Sequence, residues 1–401
     1  MTRTVDPRLL LCMIASAERC ARRNGYHLNL RGRDISSFEV EMRSRLWWQI
    51  VWLQGQVAEA AVAGPSSLSW DWQVVLPRNV NESDITPEMS AMPLVHQLPT
   101  DMLFCIVKYE ILEFRRRIWA SVQEHVPNFR SNEFKNPMIS VSDKLKAIDS
   151  FQRRLESQYF SHCDPTTALF IMTQYYVTYS LSKMRIAAYT TIPLSDAQVV
   201  QERQEKLMKI CIEAIEAYTS CFRQRMLDRF HWFLISTAPF LAYVHLLYNL
   251  RRYPTSMLAS RGWSAISSET DGFGRPRWIW GLNPSWNEPD DSAMALAFAN
   301  MTVKAWEARE KVSSGSHIEQ APALIMSMKE KLNRSQKTNN DVGSFNEVWP
   351  STHEHRTELV ANEAPNDILQ VPQLDPAMDS DFTMLNDWGF GTADDYYWGV
   401  N

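Results

Sequence analysis

The residues of this chain with the most chemical potential are its cysteines, histidines and paired acids. Six cysteines occur in 401 residues. Six thiolates can hold two tetrahedral zinc ions, but only where two Cys-x-x-Cys pairs sit in one short segment. Here Cys12, Cys20, Cys105, Cys163, Cys211 and Cys221 are dispersed, and no Cys-x-x-Cys occurs. They read as free, mostly buried thiols of a reducing compartment. His353-Glu354-His355 has metal-ligating types, yet it lies in a polar stretch that favours a solvated state. Gly272-Phe-Gly274 lacks the preceding strand and following helix of a phosphate-binding loop. Neither a Gly-x-Ser-x-Gly elbow nor a His-Glu-x-x-His pair is present. The residues therefore point to no catalytic site, no metal site and no cofactor within this chain.

The elements around these residues read as helices throughout. Arg8 to Gly25, Ser36 to Ala63, Thr100 to Ser121, Val141 to Phe160, Asp164 to Tyr189, Ser195 to Asp228, Phe230 to Leu250 and Asp291 to Lys311 carry apolar residues at helical spacing. Ser195 to Asp228 reads as one helix, or as two joined near Tyr218. Strand-like alternation is nearly absent. The expected class is all-α, with about ten packed helices in one irregular domain over residues 1–312. Ser256 to Pro289 reads as irregular. Residues 313–374 read as a polar, largely disordered linker with a short apolar patch at Leu324 to Met328. Residues 375–401 form a distinct tail. A hydrophobic fraction of 45% suffices for a sizeable core. The net charge of −5 and the scattered basic residues argue against nucleic-acid binding by this chain alone. Arg22-Arg23, Arg115-Arg116-Arg117 and Arg251-Arg252 read as solvated faces. No secretion signal is read at the N-terminus. Phe230 to Leu250 is long and uncharged enough to span a bilayer, but Pro239, two histidines and arginines at both ends favour a buried helix over a membrane span.

The most distinctive segment runs from Phe38 to Pro87. Ser36 and Glu39 have the spacing of a capping box. Met42, Leu46, Ile50, Leu53 and Val57 are expected to form the buried stripe of the helix they open. Trp47, Trp48 and Trp52 point in different directions around it, which suggests a central helix covered on most sides. Gly64-Pro65 stops it. The segment after it, Asp71 to Asp84, reads as an extended stretch ending in an Asn-rich acidic loop. Arg45-Leu46-Trp47-Trp48 together with the loop from Asp71 to Asp84 resembles the middle homology region of fungal zinc-cluster transcription factors. Leu155, Tyr159, Asp164 and Pro165 resemble a later passage of that region, and Lys183-Met184-Arg185 a helix end in it. The Trp232 helix ending before Pro254 also fits. The match covers Leu9 to Leu250 in order.

The resemblance implies a nuclear transcriptional regulator of a fungal metabolic or secondary-metabolite gene cluster. It implies that Arg45, Leu46, Trp47, Trp48, Asp71 and Asp84 are structural signature positions. Family members carry Gly-Arg-Pro where this chain has Gly64-Pro65. They also carry an N-terminal zinc cluster and further helices before the signature. The chain is thus expected to start inside the domain, through a truncated gene model or as a natural derivative. DNA contact is then expected only through a missing or partner-supplied zinc cluster, and zinc only there. A homodimer and a small-molecule effector are compatible with the family.

The tail carries Asp375, Asp379, Asp381, Asp387, Asp394 and Asp395 and no Lys or Arg. Phe382, Leu385, Trp388, Phe390, Tyr396, Tyr397 and Trp398 are interleaved with them. Repelling carboxylates keep such rings in water, where they can dock into a partner's apolar groove and fold on binding. These seven residues are the expected contacts to a coactivator or mediator component. The competing reading is a helical enzyme or small-molecule-binding protein. Asn340, Asp341, Ser344 and Glu347 approach the magnesium motif of terpene cyclases, but Glu347 is one residue early and Asp290-Asp291 lacks a further acid. That reading predicts a closed apolar cavity faced by clustered carboxylates.

Overall fold

The computed structural model describes residues 7–31, 34–60, 72–125, 139–190, 197–268, 293–313 and 322–343. Among these residues there are α-helices and no strand. In chain order they are α1 (Pro7–Arg23), α2 (Ser37–Ala60), α3 (Leu103–His125), α4 (Val141–Leu155), α5 (Ala168–Tyr189), α6 (Ala197–Phe222), α7 (His231–Ser236), α8 (Phe240–Arg252), α9 (Ala259–Ser267), α10 (Ala293–Ser313) and α11 (Ala323–Gly343). The all-α class expected from periodicity is the class observed.

The ends follow local chemistry. Gly25 has φ of 73°, a conformation that side chains oppose, and Tyr26 N donates to Ala21 O at 2.9 Å. That is the glycine-dependent stop of α1. Ser36 Oγ accepts from Glu39 N at 3.2 Å, as a cap should, while the Glu39 carboxylate turns to Arg43 at 2.6 Å. Ser140 caps α4 through Asp143 N. Thr167, three residues after Asp164, caps α5, so that helix begins later than Asp164-Pro165 suggests.

Helix α5 is the centre of the body. Buried residues from Phe170 to Ala188 cover most of its circumference, leaving the Gln174 side to solvent, and it packs on α3, α4, α6 and α8. Helix α6 adds α8 and α9, α8 adds α10, and α10 adds α11. One continuous core joins Val107, Ile148, Tyr176, Ile212, Leu246, Trp263, Trp306 and Met328. A second, smaller core holds Trp47, Trp48, Trp72 and Tyr109 where α1 and α2 meet α3.

Five expectations change. Helix α2 is not covered all round. Met42 and Leu46 are 40% and 48% exposed. Its buried face is Glu41, Ser44, Trp47, Trp48, Ile50, Val51, Gln54, Val57 and Ala58, so Ile50 and Val57 of the expected stripe do turn inward. The inward stripe is thus rotated from the most aliphatic positions to the tryptophans, because ring area outweighs aliphatic count. The apolar stretch from Phe230 is not one helix. It breaks at Thr237–Pro239, and the arms Arg225–Ser236 and Phe240–Arg252 diverge by 72°. Pro239 lacks the N–H that would continue the ladder. The Thr237 carbonyl released at the break is taken by the Tyr175 hydroxyl. No single described helix is long and apolar enough to cross a membrane. Helix α6 ends at Phe222, beyond Tyr218, and a short 3-10 segment Arg225–Phe230 follows. The stretch read as irregular contains α9, which buries Trp263. The stretch read as linker contains α11, whose Leu324, Ile325 and Met328 are buried.

Candidate functional site

The signature residues sit where α2 holds an irregular segment running from Trp72 to α3. Ser44, Arg45 and Trp48 lie one turn apart or less, so their polar atoms reach the same strip of that segment. Trp48 Nε1 donates to Val75 O at 3.0 Å, and Ser44 Oγ donates to the same carbonyl at 2.8 Å. Arg45 Nη1 donates to both oxygens of Glu82, at 2.7 and 3.0 Å. Arg45 Nε donates to Glu41 Oε1 at 3.1 Å, and that oxygen also accepts from Arg78 N at 3.2 Å. One arginine therefore ties its own helix to residues 37 positions away. Trp47 is fully buried, with Trp72 edge-on at 6.0 Å and the Arg22 guanidinium 5.2 Å above its ring. Arg22 also pairs with Glu18 at 2.8 Å, so it does more than face solvent.

The acidic loop is built just as tightly. Asn81 N donates to Asp84 Oδ2 at 2.8 Å, and His96 Nε2 lies 2.7 Å from the same oxygen. The Asn81 amide and then His96 hold the Asp84 carboxyl below its usual range. Asn79 Nδ2 donates to the carbonyls of His96 and Leu98, each at 2.9 Å, and Asn79 Oδ1 accepts from Thr100 at 2.7 Å. These side chains supplement the sparse backbone pairing of an irregular segment, in which His96 N donates to Asn79 O at 2.9 Å.

Sequence reasoning passed over the residue that joins this unit to the body. Lys108 is buried, donates to Gln49 Oε1 at 2.7 Å, and lies 4.2 Å from the Trp52 ring centre and 4.9 Å from Tyr109. Burial lowers its amine to about 8. Trp52 Nε1 donates to Tyr176 OH at 2.8 Å, and its ring stacks on Phe233 at 6.2 Å. A lysine in an apolar stripe of α3 was the available signal, since lysine is seldom fully buried. Lys144 is a second case: its Nζ is buried without a hydrogen-bond partner, and burial lowers it to about 8 as well.

The arrangement is a clasp. Leu46 is in the signature but stays half in solvent, so it adds little to that clasp. Asp71 and the seven tail residues Phe382, Leu385, Trp388, Phe390, Tyr396, Tyr397 and Trp398 lie outside the described residues. So do Gly64-Pro65, Gly272, Asp290-Asp291, Ser344, Glu347 and His353-Glu354-His355. Among the described residues no group of three or more His, Cys, Asp or Glu could hold a metal. A groove of about 270 Å³ lies between α3 and α4, floored by Phe114 and Phe151. Its Glu110 is taken by Arg154 at 2.7 Å, and its Glu113 by Arg116 and Arg117 at 2.6 and 2.9 Å. Carboxylates neutralised in this way lack the free, convergent lone pairs that magnesium needs.

Comparison with known proteins bears on what this clasped body belongs to. The transcriptional regulator AacuB of Aspergillus aculeatus is 28% identical over 325 residues, 80% of this chain and 42% of that protein. The aurofusarin cluster transcription factor aurR2 of Gibberella zeae is 24% identical over 372 residues, 91% of this chain and 52% of that protein. The C6 finger domain transcription factor hasF of Aspergillus fumigatus is 28% identical over 141 residues, 32% of this chain and 18% of that protein. The chain spans about half the length of the first two. No family profile and no solved structure matches it.

Proposed function

We propose that this chain is a fungal C6-finger cluster transcription factor with no catalytic role, and that it regulates transcription of a fungal biosynthetic gene cluster from the nucleus. The observation that carries this is similarity to named regulators across 80% and 91% of the chain. Regulators are named for clusters among these relatives, which supports the same target class here. The body serves as the regulatory platform, and Asp375–Asn401 serves as the activating segment. Support for the tail rests on its composition: acids with interleaved Phe382, Leu385, Trp388, Phe390, Tyr396, Tyr397 and Trp398 suit an apolar groove on a coactivator. DNA contact is assigned to a zinc cluster outside these 401 residues, on the same polypeptide or on a partner.

Two measurements test this. Deleting the gene should silence a set of adjacent biosynthetic genes together, and unchanged transcripts across the genome would reject the regulatory reading. Fusing Asp375–Asn401 to a foreign DNA-binding domain should activate a reporter, and replacing Phe382, Trp388 and Trp398 by Ala should abolish that. A silent fusion, or one indifferent to the three substitutions, rejects the tail's role alone.

A further inference from the structure

The turn that carries the chain from α6 into α7 combines exposed apolar and basic side chains. Its inner side is anchored: Leu227 is fully buried, Phe233 and Leu234 join the core, and Phe222 packs on His231 at 4.8 Å. Its outer side displays Met226 and Trp232, which are 48% and 68% exposed. Between and beside them stand Arg223, Arg225 and Arg229, all exposed. No ion pair forms at any of the three among the described residues, and Arg229 rests against the Phe230 ring at 5.0 Å. The one acid in the turn, Asp228, faces His231 at 3.6 Å. An ordered Trp and Met left in water beside three unpaired guanidiniums are the residue types that dominate protein recognition sites.

We propose that the Arg223–Trp232 corner is a docking surface for an acidic segment of a partner protein that carries an apolar anchor residue. The charge decides the sign of the partner: three arginines against one acid, in a chain of net charge −5, attract carboxylates and repel basic peptides. The apolar part decides its class. A nucleic-acid backbone would engage the arginines and leave Trp232 and Met226 idle, whereas an acidic peptide with a Leu or Phe uses both. The guanidiniums supply orientation, and the Trp232 ring supplies most of the buried area at little entropic cost. The surface is independent of the proposed activation tail and of the Arg45 clasp.

The test uses the full chain and a fluorescein-labelled peptide of about 20 residues built from Asp, Leu and Phe. Anisotropy should report micromolar binding that weakens as salt rises. Trp232→Ala, and separately Arg223→Gln with Arg225→Gln and Arg229→Gln, should each weaken it at least tenfold while the melting curve stays unchanged. A peptide with Lys for Asp should not bind, and duplex DNA should not compete. Absence of binding, binding indifferent to these substitutions, or duplex DNA competing through the arginines would each overturn the proposal. So would peptide binding that appears only when Asp379, Asp381 and Asp387 are changed to Asn, because the chain's own tail would then be the occupant.

Discussion

Arg45 and Leu46 are neighbours in sequence with opposite surroundings. The Arg45 side chain is mostly buried between Glu41 and Glu82, while Leu46 stands in solvent. Arg45→Ala leaves Glu41 buried beside one backbone donor, which should cost about 2 kcal/mol. Leu46→Ala should change stability by no more than about 0.5 kcal/mol. Trp48→Ala removes a buried ring and its bond to Val75, and should cost about 3–5 kcal/mol. Urea unfolding of the three variants checks the order, and equal losses at 45 and 46 would contradict the clasp. The two buried lysines make a pH prediction. Folded Lys108 and Lys144 titrate near 8 against an ordinary value of 10.5, so above pH 8 the unfolded chain holds protons that the folded chain has lost. Stability should therefore rise from about pH 8 to 9, by about 1 kcal/mol per lysine. Above pH 9 the gain is opposed, because burial raises the Cys211 and Cys221 thiols. Replacing both lysines by Met should flatten the rise without lowering stability at pH 7, and urea midpoints at pH 7, 8 and 9 decide it. Trp47 and Trp48 were legible as core residues from their type. Lys108 was not, because a lysine at helical spacing looks the same in sequence whether its amine reaches water or an aromatic pocket.

At the scale of elements, helix existence was legible and helix surroundings were not. Spacing of 3.6 residues is a local property, so α1 to α6 could be read from the chain alone. Caps were legible too where Ser36 and Gly25 supplied the right atoms. The inward face of α2 depended on what it meets, namely Trp72 and Tyr109, and no window of α2 contains them. Pro239 marked a weak point, but the 72° bend needed Tyr175 to take the freed carbonyl. Helix α11 was obscured because its apolar run is short and its flanks are polar. It packs on α10, with Leu324, Ile325 and Met328 buried. Ile325→Ala and Met328→Ala should each cost about 2–5 kcal/mol in urea unfolding. Losses near zero at both positions would return this stretch to the role of a linker.

At the scale of the whole molecule, the body has a large core around α5 and a small one under α2. The two meet through Lys108–Gln49, Trp52–Tyr176 and the Trp52–Phe233 ring stack at 6.2 Å. A junction of few polar and aromatic contacts opens more readily than a continuous aliphatic core. Hydrogen exchange should therefore release amides of α1 and α2 before those of α5, α6 and α8, and the reverse order would contradict the division into two cores. The amino-acid sequence by itself determined the helical class, the dispersal of the six cysteines, the tail's acidic aromatic character and the resemblance carried by Arg45-Leu46-Trp47-Trp48. Each of these is local in the chain or a matter of composition. Only the tertiary structure decided that α5 and not α2 is central, that Arg45 reaches Glu82, and that Leu46 is a spectator. Only it left Trp232 outside among arginines while its neighbour Phe233 went in. Burial depends on partners far away in sequence, and periodicity records that a side chain has a face without recording what that face will meet.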